Sequence, residues 1–333
     1  MHDPMTQHAA LLPNAPRAMA FDGTKPFAEW QKQAREKLAE LLGMDTFVPC
    51  DPQFALEWTH EGQGYTEYRF QFNTEEKYRS IAHLLIPDGT KQPMPLVICL
   101  QGHSRGMHIS LGRAKFPGDD ESIHGGDRDF APQILREGYA ALTVEQRAFG
   151  ECGGKPEPNC YQTAMSAILM GRTLIGERVW DISRAIDTVT AHFPQIDADR
   201  IALMGNSGGG TTTIYAAALE PRIKAAMPSC ALAGFTESIG LLHHCSCNYV
   251  PNILRWFDMG DLMGMAAPAV YIAVNGKDDP SFPLASANRE FEQGKRCYEA
   301  AGCGENVRHV VGQQGHRFYA ADSWPVFREL TKW

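Results

Sequence analysis

The stretch Gly205-Asn206-Ser207-Gly208-Gly209 sets a serine among glycines at the spacing G-x-S-x-G. A serine on a sharp turn between a strand and a helix has strained backbone angles, so the residues two before and two after it must be small. RIALMG before the serine reads as the strand, and GGTTTIYAAALE after it as the helix. The turn aims the amide of Gly208 at the place where an oxyanion would develop, supported by the helix N-terminus. Two other readings of the glycines fail. A phosphate-binding loop needs a lysine, and none occurs between Arg200 and Ile223; a dinucleotide fingerprint needs a glycine where Thr213 stands.

A serine hydroxyl is a weak nucleophile and needs a base, which in turn needs an orienting group. The segment NGKDDPSFP carries Asp278 and Asp279 after the apolar run AVYIAV, and GQQGHRF carries His316 after VRHVV. The order serine, acid, histidine, each past the end of a strand, is the one such a turn requires. His316 is read as the base. Asp279, preceding Pro280, is preferred as the acid over Asp278, which would cap the turn or form a salt bridge. In LVICLQGHSRG, Gly102 lets the chain turn and present the amide of His103 as the second oxyanion donor; its imidazole is read as packing in the loop or facing substrate.

Two further segments attract attention. In EQRAFGECGG, Arg147 has two readings, a contact to a substrate carboxylate or sugar hydroxyls and an internal ion pair that holds the loop. HHCSCNYVPN packs two histidines and two cysteines into His243 to Cys247. Structural zinc sites use ligands two to four residues apart with a second pair elsewhere, so C-x-C beside two histidines fits poorly and no metal is expected. The segment is read as a loop lining the acyl or alcohol pocket, with His244 and Tyr249 as substrate contacts.

These residues require elements to hold them. Trp30, Ala34, Leu38, Leu41 and Leu42 lie at helical spacing, with Gly43 as a stop. Tyr65–Phe72 and Tyr78–Ile86 read as an opening antiparallel pair, the second closed by the turn PDGT. From Pro95 onward, short and nearly continuous apolar runs start at Leu96, Tyr139, Arg200, Ile223, Ala269 and Val307. Strands buried on both faces lose polar alternation in this way. Helical stretches between them (Phe130–Arg136, Gly171–His192, Gly208–Glu220, Ser286–Ala301, Ser323–Lys332) predict a mostly parallel, doubly wound α/β sheet flanked by helices. Residues 1–60 read as an N-terminal helical extension, and 61–333 as the main domain. Of two long connections, Cys152–Arg172 and Leu232–Pro268, the second is expected to be a cap-like insertion.

Composition narrows the rest. A chain of 333 residues, 44% hydrophobic and 21% charged, is an ordinary globular protein. The net charge of −8 and the lack of a basic cluster argue against nucleic-acid partners. No segment reaches the roughly 18 apolar residues of a membrane helix. The N-terminus lacks a signal-peptide pattern, and nine scattered cysteines suit free thiols, so a cytoplasmic location is expected. Self-association is left open.

The segments LVICLQGHSRG, EQRAFGE, TLIGERVWDISRAID, IALMGNSGGGTTT, HHCSCNYVP, NGKDDPSFP and GHRF together resemble the α/β-hydrolase superfamily, and within it the bacterial branch of acetyl xylan esterases and dienelactone-hydrolase-like proteins. The resemblance implies an α/β-hydrolase fold, esterase activity on small acyl groups, often acetyl groups of sugars, and no cofactor. It implies the triad Ser207, Asp279 and His316 with the oxyanion amides of Gly208 and His103. The chain departs in having QGH where many relatives have HGH or HGY. Lacking a signal peptide, it is not expected to attack polymeric xylan. The expected activity is therefore a serine ester hydrolase on a small-molecule ester. A peptidase, thioesterase or uronic-acid methyl esterase with the same triad, or a binding protein with an inert hydrolase fold, are the alternatives.

Overall fold

A computed structural model describes residues 2–89, 93–154 and 159–333. Thr90 of the expected PDGT turn, and residues 155–158 of the first long connection, lie outside them. Among the described residues nine strands form one sheet: β1 (Ala55–Glu61), β2 (Tyr65–Glu75), β3 (Tyr78–Pro87), β4 (Met94–Leu100), β5 (Ala140–Val144), β6 (Ile196–Asn206), β7 (Ile223–Ser229), β8 (Val270–Gly276) and β9 (Val307–Gly312). Their order is β1-β2-β3-β5-β4-β6-β7-β8-β9. The first three strands form an antiparallel meander that joins β5, and every pair from β5 to β9 is parallel.

The strand β1 was not anticipated. All but its first residue are exposed, so as an edge strand it lacks the apolar signal that marks the others. By contrast, all seven residues of β4 and of β8 are buried, which is why their apolar runs are unbroken. Leu96, Ile98 and Leu100 of β4 face one core, and Val97 and Cys99 the other.

Helices cover both faces: α1 (Pro4–Leu11), α2 (Phe27–Leu42), α3 (Phe130–Arg136), α4 (Cys160–Leu169), α5 (Leu174–His192), α6 (Gly208–Leu219), α7 (Met259–Met265), α8 (Leu284–Ala300) and α9 (Ala320–Thr331). Trp30, Ala34, Leu38 and Leu42 of α2 join the core that holds α5, α6 and α7, and Gly43 ends the helix at φ 74°. Phe130 and Ile134 of α3 pack with Trp324 and Phe327 of α9 on the opposite face. The helix expected from Gly171 starts at Leu174, where the Thr173 hydroxyl accepts from the Gly176 amide at 3.0 Å.

Much of the 232–268 connection is buried. Phe257, Leu262, Met263 and Met265 are wholly buried, and α7 packs on α8 and α6. Among the described residues no helix is long and apolar enough to cross a membrane.

Candidate active site

Ser207 occupies the turn from β6 into α6 at φ 56°, ψ −119°. That left-handed conformation is strained for a residue with a side chain, costing about 1–3 kcal/mol. Its amide donates to Ser229 O at 2.8 Å, which ties the turn to the end of β7. A Cβ on Gly205 would stand 2.5 Å from Gly209 O, and one on Gly102 would stand 2.8 Å from Asn206 O. The glycines therefore admit the turn and let the loop after β4 lie against it. The threonines that follow have their own roles. Thr213 Oγ1 bonds back to Gly209 O at 2.9 Å. Thr212 Oγ1 donates to Gln146 Oε1 at 2.7 Å, and Gln146 Nε2 donates to Gln101 O at 2.7 Å. A buried side-chain relay thus connects α6 to the loop carrying His103.

His316 follows β9, and Asp279 follows β8. Their side chains meet, with His316 Nδ1 2.8 Å from Asp279 Oδ2. The other carboxylate oxygen accepts from the amides of Ser281 at 2.9 Å and Phe282 at 3.3 Å. Burial alone raises the Asp279 carboxyl, but the bond and charge of His316 and the Ser281 amide carry it below its ordinary range. Asp278 is exposed. The Phe282 ring stacks near His316, centroids 6.0 Å apart.

Ser207 and His316 line one small cavity of about 80 Å³ with Gly102, His103 and Arg128. Among the described residues neither the Gly208 amide nor the His103 amide donates to a protein acceptor. Glu145 holds the His103 loop from behind, accepting from Gln101 Nε2 at 2.5 Å and the Met107 amide at 3.1 Å. Burial pushes its carboxyl up to about 7 despite those donors. Neither Gln146 nor Glu145 stood out in the sequence, since their partners Gln101, Met107 and Thr212 lie 38 to 66 residues away.

Arg128 was also missed. It donates from Nη2 to His316 O at 2.9 Å and from Nη1 to Ser122 Oγ at 3.1 Å. Its Nε is buried without a partner, and among the described residues no carboxylate lies within ion-pair distance of it. An arginine with no acid of its own on the wall of this cavity is a group that a bound carboxylate can pair with.

The open reading of Arg147 resolves toward the internal one. Its guanidinium is 2.7 Å from Asp181 and 2.8 Å from Glu75, and it lies 3.9 Å over the Tyr78 ring. Those contacts occupy the donors that a substrate would need. Tyr249 does not line the Ser207 cavity; it borders an apolar groove between α1 and residues 239–255. His244 reaches the acid loop instead, with Nε2 3.3 Å from Ser281 O and its ring edge-on to Phe282.

Among the described residues two clusters carry metal-ligating atoms. Cys230, Asp279 and His316 form one, but the bond between His316 and Asp279 uses the relevant atoms, and burial pushes the Cys230 thiol up to about 12. The second joins Cys245 and Cys247 to two residues the local segment does not contain, Cys160 and His103. The expectation of no metal rested on the spacing within residues 243–252 alone, without Cys160 and His103.

A model of the Abhydrolase family matches residues 9–321. The candidate hydrolase YtaP of Bacillus subtilis (strain 168) is 26% identical over 259 residues, covering 76% of this chain and 83% of YtaP. A candidate acetyl xylan esterase of Bacteroides fragilis NCTC 9343 shares the fold with a TM-score of 0.83 at 18% identity, over 99% of this chain and 95% of its own. A glucuronoyl esterase of Solibacter usitatus does so with a TM-score of 0.69 at 17% identity, over 95% and 96%.

Proposed function

Since this chain belongs to the Abhydrolase family of α/β-hydrolases, we propose that it is a serine ester hydrolase acting on small acyl groups. The observation that carries the reading is the meeting, in one cavity, of a serine at φ 56° and a histidine bonded to a buried aspartate. The Ser207 hydroxyl attacks the ester carbonyl while His316 Nε2 takes its proton. Asp279 fixes the tautomer with the proton on Nδ1 and stabilises the imidazolium. The amides of Gly208 and His103 donate to the tetrahedral oxyanion. As the intermediate collapses, the carbonyl–alcohol bond breaks and the alcohol leaves with the proton from His316. Water then attacks the acyl-enzyme by the same route and frees the acid.

Substrate size follows from the cavity, whose 80 Å³ suits an acetyl-sized group rather than a long chain. A larger cleft of about 960 Å³ shares Ser104 with it and is lined by Trp58, Phe116 and Arg105. Aromatic faces beside cationic donors fit a sugar as the alcohol, a reading also supported by the names of the two structural neighbours. A second reading rests on Arg128: the ester bears a carboxylate close to the scissile bond. The free state of all nine cysteines supports a reducing compartment.

Hydrolysis of nitrophenyl esters of increasing acyl length by wild type and Ser207→Ala tests the proposal. Turnover limited to acetyl and propionyl, lowered on the order of a millionfold in the variant, is the expected result. Absence of both turnover and fluorophosphonate labelling at Ser207 would leave an inert fold and overturn it.

A further inference from the structure

Three segments distant in sequence converge beside the oxyanion loop. Cys160 is the first residue of α4, Cys245 precedes the short turn Ser246–Asn248 and Cys247 lies within it, and His103 follows β4. One ligating atom from each of these four residues lies within 4.8 Å of the other three. His103 Nε2 is 3.1 Å from Cys247 Sγ.

We propose that His103, Cys160, Cys245 and Cys247 form a four-coordinate structural zinc site that ties α4 and the 243–250 segment to the loop after β4. Four ligands at zinc–sulfur distances of about 2.3 Å place sulfurs about 3.8 Å apart, within the observed spread. Three thiolates and an imidazole are a soft set that selects zinc over magnesium or calcium.

Two independent observations fit an anionic zinc–thiolate complex here. The first is charge. Arg178 is 1% exposed, and among the described residues no carboxylate lies within ion-pair distance of it. Its Nη2 lies 3.5 Å from Cys160 Sγ, and its Nη1 is buried without a partner. Its Nε and Nη2 also donate to Arg147 O at 3.1 and 2.9 Å, and it lies 4.2 Å over the Phe149 ring, but none of these partners carries a charge. Zinc with three thiolates and a neutral imidazole carries one negative charge, which this guanidinium neutralises. The second is packing. The apolar cluster beneath these segments contains only Ala148, Ala164, Leu174 and Cys247, with Cys160 and Cys245 at its edge. So small a core gains from a cross-link. Binding releases the three thiol protons to solvent and changes no oxidation state.

The His103 ring also packs against the first residue of α6; a Cβ on Gly208 would stand 2.8 Å from its Nδ1. Metal loss should therefore loosen the loop whose amide is assigned above to the oxyanion, a consequence that rests on the esterase reading. The metal content does not.

The test is metal analysis of the full chain, grown with zinc and purified in reducing, chelator-free buffer. One zinc per chain is expected in wild type, Cys50→Ser and Ser207→Ala, and none in the double variant Cys245→Ser/Cys247→Ser. Cobalt exchanged into wild type should give the intense visible bands of a tetrahedral thiolate site. His103→Ala, which removes an exposed ring, should stay folded and shift those bands, so the idea remains testable if the double variant does not fold. Wild type without zinc or cobalt bands, a Cys245–Cys247 disulfide in the reduced preparation, or full zinc in the double variant would each overturn the site. Full zinc in a Ser207→Ala protein whose wild type hydrolyses no ester would uphold the metal site while the esterase reading fails.

Discussion

His316 Nδ1 lies 2.8 Å from Asp279 Oδ2, and the aspartate side chain is wholly shielded while a quarter of the imidazole remains open. The pair is thus anchored at the acid and accessible at the base. Asp279→Asn should keep the fold and lower kcat by about four orders of magnitude, because an amide favours the wrong tautomer. Asp278→Asn, at an exposed position, should leave kcat within about twofold. Steady-state kinetics of the two variants on one ester checks both, and equal losses would move the acid assignment.

Arg128 lines the cavity with its charge unpaired among the described residues. For an ester with a neighbouring carboxylate, Arg128→Gln should raise KM by roughly tenfold to a hundredfold, the worth of a charged hydrogen bond. A neutral acetyl ester should show no comparable rise. If kcat falls equally for both, Arg128 acts by holding the carbonyl of His316 and not by pairing with substrate.

Arg147 sits among Asp181, Glu75 and Glu177. Removing one partner of a buried ion cluster leaves the others uncompensated, so Arg147→Met should cost about 3–5 kcal/mol of stability. KM of the folded enzyme should stay unchanged. Urea unfolding together with kinetics separates this from substrate binding, which would move KM instead.

A pH effect arises from a buried carboxylate on β2. Glu67 is fully buried, bonded to His83 Nδ1 at 2.6 Å and paired with Arg113. Burial opposes its charge, but these partners outweigh it and lower the carboxyl to about 2 from an ordinary 4.5. A depressed carboxyl stabilises the fold above its unfolded value, and the benefit is lost as pH falls through the folded one. Stability should therefore decline between about pH 4.5 and 2 by on the order of 3 kcal/mol. Burial also lowers the pKa of His83, which acts in the same direction. Glu67→Gln should be less stable at pH 7 and flatter across the acid window, as read from urea midpoints at stepped pH.

How much of this was legible in the sequence depends on whether a residue carries its own context. Ser207, Asp279 and His316 each close a short apolar run, so the local pattern alone put them past the ends of β6, β8 and β9. The exposed β1 offered no apolar run. Arg147 meets Asp181 across 34 residues, and His103 meets Cys247 across 144. No window of sequence holds such pairs together. Cys245 and Cys247 offered no metal pattern within their own segment because Cys160 and His103, which gather beside them, lie elsewhere in the chain.

The close approach of Gly102 to Asn206, and of Gly209 to the carbonyls of Leu100 and Gln101, restricts how such an enzyme can diversify over generations. Neither loop can acquire a side chain unless the other retreats in the same step, so single replacements at 102, 205 or 209 lead nowhere. Ser104, Ile109 and Phe130 border the same cavity without that reciprocal constraint. Inherited changes in substrate range should accumulate there, on the walls, while the hinge between the two loops stays frozen.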